Sequence, residues 1–144
     1  MLRAVTVFLL LIGGPGRAAE PGAYAQVDVA PCRTSIYIGV VSLELPTLTR
    51  TATTYSAPYS AKVFPYFFAS ESGTLSVDLS DAELAQLAHG AAIDFHGRGV
   101  RSDGAERRVE GRATPTDAQS GKLKVRVFVS ERIQLIFNTT YRFR

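Results

Sequence analysis

The chain has 144 residues, of which 46% are hydrophobic, 20% charged and 10% aromatic, and it contains one cysteine. This composition excludes a disordered chain and a collagen-like repeat, and the single Cys32 excludes an intrachain disulfide framework. The formal net charge of +3 includes Arg3 and Arg17, which a processed N terminus would lose. We therefore expect no nucleic-acid partner.

The N-terminal segment, residues 1–18, has the three-part pattern of a secretory signal peptide. Arg3 supplies the positive start, residues 4–12 are predominantly apolar, and residues 13–18 are mostly small or helix-breaking. The apolar run is shorter than the roughly 20 residues that a membrane span requires. We therefore expect cleavage after Ala18, one mature domain over residues 19–144 without a transmembrane helix, and a secreted or periplasmic location.

Most of the mature chain shows the two-residue hydrophobic alternation of half-buried strands. Residues 35–45 change the parity of their apolar positions beside Gly39, which predicts a bulge within one strand. Residues 47–61 are rich in Thr, Ser, Ala and Tyr and predict a long connection or an irregular edge strand. From Leu123 to Phe143 most of the apolar residues occupy odd positions, and a break at residues 130–132 predicts either a hairpin or a bend between two sheets.

One short helix is expected near residues 81–89. Ser80 and Glu83 have the spacing of a capping box, and Gly90 suits the position just after a helix C terminus. The helix has only about two turns, so it must pack on the sheet to be stable.

A hairpin is expected after the helix, with Ser102, Asp103 and Gly104 as its three-residue loop. A two-residue loop would place charge on the apolar face, whereas the three-residue loop with a left-handed Gly104 restores the alternation. The resulting register pairs Phe95 with Gly111. The predicted fold is therefore all-β, an antiparallel β-sandwich (immunoglobulin-like or related) of about 7–8 strands with one short helix.

The same register sets His96 opposite Glu110 and Asp94 opposite Arg112. A carboxylate beside a histidine can support general acid–base catalysis, which makes His96, Asp94 and Glu110 the candidate catalytic residues. They lack an activated nucleophile, and surface ion pairs explain them equally well, so we predict no enzyme. The two histidines have no familiar metal-ligand spacing, and we expect neither a metal nor a cofactor.

Aromatic residues are concentrated between positions 55 and 68. Flat aromatic faces beside Thr and Ser hydroxyls suit sugar or peptide binding. We therefore predict a binding surface made of Tyr55, Tyr59, Tyr66, Phe67 and Phe68. The alternative is that the phenylalanines form part of the hydrophobic core.

These observations predict an exported, non-catalytic module with a binding, assembly or structural role at the cell envelope, whose partner is an envelope polymer or a protein. The oligomeric state stays open. One alternative is a small outer-membrane barrel, because residues 133–143 resemble the closing strand of such barrels, with Tyr141 and Phe143 in alternation. The helix and residues 47–61 leave little chain for the eight strands that such a barrel needs. The other alternative is an enzyme of hydrolase or isomerase type that uses His96.

Overall fold

The computed structural model of the protein describes residues 24–36 and 39–144. The predicted signal peptide lies outside the described residues. Ten strands and one helix follow in chain order: β1 Gln26–Val29, β2 Cys32–Ile36, β3 Gly39–Glu44, β4 Leu48–Thr51, β5 Thr54–Phe64, β6 Glu71–Asp78, α1 Asp81–Ala88, β7 Ile93–Arg101, β8 Glu106–Pro115, β9 Ser120–Phe128 and β10 Gln134–Phe143. A short 3-10 turn, Phe67–Ala69, lies between β5 and β6.

The strands form one closed antiparallel barrel. β1 and β2 are two parts of one interrupted barrel strand, and β3 and β4 are two parts of the next one. This follows because β1 pairs with β4 and β2 pairs with β3. Counted this way, eight strands follow one another around the barrel, and pairing of β1 with β10 closes it, with Val27 opposite Phe143. The prediction of an antiparallel all-β fold with one short helix is confirmed.

The predicted sandwich is wrong. Alternation gives each strand one apolar and one polar face, and a sandwich and a barrel both place the apolar face inside. The two folds differ in whether the first and last strands of the sheet pair, and here they do. Eight barrel strands also fit into the chain, contrary to the expectation that the helix and residues 47–61 leave too little length.

The two ends of the barrel differ. Helix α1 lies at one end, called the helix end, together with Tyr24 and residues 116–119. Leu84 and Leu87 of α1 are buried there and pack into the main hydrophobic cluster with Tyr24 and Phe143. The opposite end, called the aromatic end, carries the connections 65–70, 102–105 and 129–133. The helix therefore closes one end of the barrel.

The predicted helix and its cap are confirmed. The Ser80 hydroxyl accepts a hydrogen bond from the Glu83 amide at 3.2 Å, and the Glu83 carboxylate accepts from the Ser80 amide at 3.1 Å. Gly90 follows the helix with φ of 89°, a left-handed conformation that glycine adopts without a steric penalty.

The predicted β7–β8 register is also confirmed. Phe95 pairs with Gly111, Asp94 with Arg112 and His96 with Glu110. The Gly104 residue of the loop has φ of 90°, and the Arg101 amide donates to the Ala105 carbonyl at 2.8 Å. The break at residues 130–132 is a hairpin, because β9 and β10 pair along nearly their whole length.

Two strand predictions are wrong. The parity change beside Gly39 is a chain reversal rather than a bulge, because Ile36 at the end of β2 pairs with Gly39 at the start of β3; residues 37 and 38 lie outside the described residues. Residues 47–61 form β4 and most of the 11-residue strand β5. Along one edge of β5, β4 pairs with residues 54–56 and β3 pairs with residues 60–64. Pro58 lies in the gap between them, so its missing N–H breaks no pairing on that edge.

Candidate functional site

The three candidate catalytic residues lie together on the outer wall of the barrel. His96 is directly opposite Glu110, and the Asp94 carboxylate accepts a hydrogen bond from Arg112 at 3.1 Å. Both members of the Asp94–Arg112 pair are well exposed, and His96 is exposed as well. The arrangement is that of surface ion pairs, on the face that points away from the barrel interior.

The five predicted binding residues do not form one surface. Tyr55 is 1% exposed, and its hydroxyl donates to the Tyr24 carbonyl in the core of the helix end. Tyr59 is buried and faces the barrel interior. Tyr66, Phe67 and Phe68 are exposed at the aromatic end, by 38%, 64% and 87%. The alternative that these phenylalanines form core is therefore wrong.

Residues 64–68, called here the aromatic loop, place four large rings at the aromatic end of the barrel. The rings meet edge to face in two pairs, Phe64 with Phe67 at 5.9 Å and Tyr66 with Phe68 at 5.7 Å between centroids. The Ser70 hydroxyl accepts from the Val63 amide at 3.0 Å and ties the loop back to β5. Exposed apolar groups gathered in this way are typical of an interaction or ligand-access surface.

The interior of the barrel contains a cavity of about 130 Å³. It is bounded at the helix end by Leu87 and Phe143 and reaches Val129 near the aromatic end. Among the described residues, every residue that lines it is hydrophobic or glycine except Glu71, Arg107 and Thr139. An eight-stranded barrel is just wide enough to be filled by side chains or to hold one small ligand, and this barrel retains open space.

Charged side chains meet at the aromatic end of this cavity. The Glu71 carboxylate lies 3.0 Å from the Arg101 Nε and 3.4 Å from an Arg107 Nη2. Arg107 also donates to the Val129 carbonyl at 3.1 Å. The Glu71 and Arg107 side chains are only 19% and 18% exposed, so this ion pair lies in the wall of an otherwise apolar space.

Tyr59 projects into the same end of the cavity. Its ring lies beside Gly99: a side-chain Cβ added to Gly99 would lie 3.7 Å from the Tyr59 hydroxyl. Within the described part of the chain, the buried Tyr59 hydroxyl and Arg107 Nε have no hydrogen-bond partner. Burial raises the pKa of Tyr59, and the Glu71 carboxylate raises it further, both by its charge and as a nearby acceptor that stays outside hydrogen-bonding geometry, while Arg107 and Arg101 lower it.

This charged end of the cavity was not predicted from the sequence. The signal available in the sequence was the two-residue alternation of the strands. Arg101 shares the inward-facing side of β7 with Phe95, and Arg107 shares the inward-facing side of β8 with Val109. Charged residues at inward positions require partners. Glu71, which begins β6, likewise has the parity of Leu75 and Val77, which face the cavity, but its pairing with the arginines requires knowing which strands are neighbours.

Cys32 is buried and lines the cavity. Burial raises its pKa to about 11. Within residues 24–36 and 39–144, no group of three or more His, Cys, Asp or Glu side chains is placed to hold a metal ion. In the same residues, no helix has the length and apolar character needed to cross a membrane.

The structure thus defines an eight-stranded antiparallel barrel with an apolar cavity. Comparison with protein-family models, with curated proteins and with solved structures finds no match for this chain.

Proposed function

We propose that the protein is an exported, non-catalytic binding protein that holds one small apolar molecule inside its barrel. The observation that carries this proposal is the cavity of about 130 Å³ with its almost wholly apolar lining. An apolar pocket with a few convergent polar groups is the usual form of a small-molecule site. The export part rests on the pattern of residues 1–18, which lie outside the described residues.

The size of the cavity restricts the ligand. Drug-sized molecules occupy pockets of roughly 300–1,000 Å³, well above the 130 Å³ available here. An apolar cavity of about 150 Å³ in another protein stays dry and binds benzene. A molecule near benzene in size therefore fits, and it gains the dispersion contacts that the empty space lacks.

A ligand enters the cavity more easily through the aromatic end of the barrel than through the helix end. Leu84 and Leu87 of α1 pack over the helix end, so opening that end requires separating buried side chains. At the aromatic end the aromatic loop is exposed, and loops that connect strands open at lower cost than packed cores. The exposed rings offer an incoming apolar molecule its first contact.

The two alternative functions have weaker support. A barrel that spans a bilayer needs apolar side chains on its outside, whereas Lys122, Lys124 and Arg126 of β9 are exposed on the outer wall and Leu123 and Val125 line the cavity. Release of the protein by osmotic shock without detergent would count against the membrane alternative. For the enzyme alternative, His96 lies on the outer wall and away from the cavity.

Benzene binding tests the proposed function. We expect saturating benzene to raise the Tm of the protein, because a ligand that binds only the folded state stabilises it. Val127→Phe places a ring in the cavity and should abolish this rise. Arg126→Phe, the same substitution on the neighbouring outward position, should leave it intact.

Circular dichroism of each variant establishes that it folds. Where Val127→Phe does not fold, Ala61→Leu takes its place as the cavity-filling variant, with Lys62→Leu as its outward control. A Tm that benzene does not raise in the unaltered protein would overturn the proposal. An equal rise in the folded cavity-filling variant would do the same, since the binding site would then lie elsewhere.

A further inference from the structure

Two hydrogen-bond donors without partners lie at the aromatic end of the cavity. Within the described residues, the Tyr59 hydroxyl and the Arg107 Nε are buried and unpaired, and both residues line the cavity. Tyr59 is 8% exposed. A buried donor without an acceptor is unfavourable, so a ligand that offers an acceptor at this point gains affinity from both groups.

The charges around Arg107 favour an anionic acceptor. The closer partner of the Glu71 carboxylate is Arg101, at 3.0 Å, whereas its contact with Arg107 is long, at 3.4 Å. The Glu71 carboxylate is thus shared between the Arg101 and Arg107 guanidinium groups and neutralises only one of them, although the Arg107 side chain is four-fifths buried. The second acid near Arg101 is Asp103, which lies 3.7 Å away and is 59% exposed. A guanidinium has only donors and matches the geometry of a carboxylate.

The helix end of the cavity does not offer the same chemistry. Tyr141 lines the cavity there, and its hydroxyl is also buried without a partner among the described residues. The charge that acts on Tyr141 is the Asp117 carboxylate, which adds to burial in raising the pKa of Tyr141 to about 12. A negative group at that end would face Asp117 without the two arginines that offset the Glu71 carboxylate at the aromatic end.

We propose that the ligand is a small monocarboxylate, with its apolar part in the barrel and its carboxylate accepting hydrogen bonds from the Tyr59 hydroxyl and the Arg107 Nε. This inference rests on the proposed function, because it assigns the chemical class of the molecule that the cavity holds. The shape of the site suits an aromatic or short aliphatic acid of about the size of benzoate.

Calorimetric titration of the full chain with benzoate, methyl benzoate and benzene at pH 7 tests this assignment. We expect benzoate to bind at least about tenfold more tightly than methyl benzoate, because hydrogen bonds to charged groups are the stronger kind. Tyr59→Phe should weaken benzoate binding by about tenfold and benzene binding much less, because benzene accepts no hydrogen bond from the lost hydroxyl. Arg107→Gln should weaken benzoate binding further, with circular dichroism to verify folding.

The matched control is Arg108→Gln, which removes the guanidinium of the neighbouring, exposed residue on the outer wall and should leave benzoate binding unchanged. Equal affinity for benzoate and methyl benzoate, or benzoate binding that Tyr59→Phe does not weaken, would overturn the carboxylate assignment. Benzene binding that persists in that case leaves the proposed function standing. If neither benzene nor benzoate binds, the proposed function itself fails.

Discussion

The ring of Phe95 covers Gly111, the residue directly opposite it in the β7–β8 ladder. A Cβ at position 111 would overlap the Phe95 ring, so the space of the missing side chain is filled by the aromatic residue of the neighbouring strand. The register that brings these two residues together follows from the hydrophobic alternation of the hairpin alone.

Gly111→Ala should therefore destabilise the barrel, by about 1–3 kcal/mol, because overpacking forces a well-packed ring to move. Gly99→Ala is the matched control. A Cβ at Gly99 has its nearest neighbour at an ordinary 3.5 Å, and alanine restricts the unfolded chain more than glycine does. Chemical denaturation of both variants measures the difference, and equal stabilities would contradict the packing described for Phe95.

The stability of the protein should fall as the pH rises above about 9. Burial raises the pKa of Cys32 from 9.0 to about 11 and the pKa values of Tyr55 and Tyr141 from 10.0 to about 12. The unfolded chain therefore loses these protons first, and the free energy of unfolding decreases across the interval between the unfolded and folded pKa values. Urea midpoints measured between pH 8 and 11 should decline.

Cys32→Ala provides the control for this pH dependence. The variant lacks the thiol whose pKa is raised by burial from 9.0 to about 11, so its urea midpoint should decline less steeply over that range than that of the unaltered protein. A midpoint that stays level or rises up to pH 11 would show that these groups are not buried in the folded state.

Replacing His96 should have little effect. The side chain is exposed on the outer wall opposite Glu110, and substitutions at such positions change stability by no more than about 0.5 kcal/mol. We expect His96→Ala to keep the unfolding free energy and the benzene affinity of the unaltered protein. A loss of ligand binding in this variant would instead connect the outer wall to the cavity and revive the enzyme alternative.

The capping box should contribute measurably to stability. Ser80→Ala removes the hydroxyl that accepts from the Glu83 amide and should lower the unfolding free energy by about 1 kcal/mol. Ser102→Ala is the control, since Ser102 is exposed in the β7–β8 loop and should be nearly neutral. Because α1 covers the helix end of the barrel, hydrogen exchange should accelerate in α1 of the Ser80 variant before it does so in the strands.

Phe68 and Phe137 should differ sharply in their effect on stability. Phe68 in the aromatic loop is 87% exposed, whereas Phe137 on β10 is 2% exposed. Phe137→Ala should cost about 3–5 kcal/mol, as for other buried aromatic residues, while Phe68→Ala should cost about 0.5 kcal/mol or less. Comparable losses would show that the aromatic loop packs against another surface in solution.

Local features of the fold could be predicted because their determinants lie close together in the chain. The capping box needs only Ser80 and Glu83, and the β7–β8 register needs only one hairpin with Gly104 in its loop. Residues 47–61 were harder to interpret, because the small alanines at positions 57 and 61 give a weak hydrophobic signal although they lie on the face of β5 that points into the barrel.

The closure of the barrel and its charged cavity end could not be predicted in the same way. Both depend on contacts between distant segments, such as Val27 with Phe143 and Glu71 with Arg107. Alternation reports which side of a strand is buried but does not report which strand is its neighbour. Tyr59 was selected from the sequence as a candidate binding residue, but its proximity to Arg107 becomes visible only once β5 and β8 are known to enclose the same space.

The pairing of β1 with β10 has a consequence for how the chain acquires its structure. Until the last strand has been made, the edges of β1 and β9 that face β10 have no neighbour, and open sheet edges promote association with other chains. Contacts between segments so far apart also slow folding. A chain that stops before residue 134 should accordingly aggregate, and the barrel should form only after β10 has been synthesised.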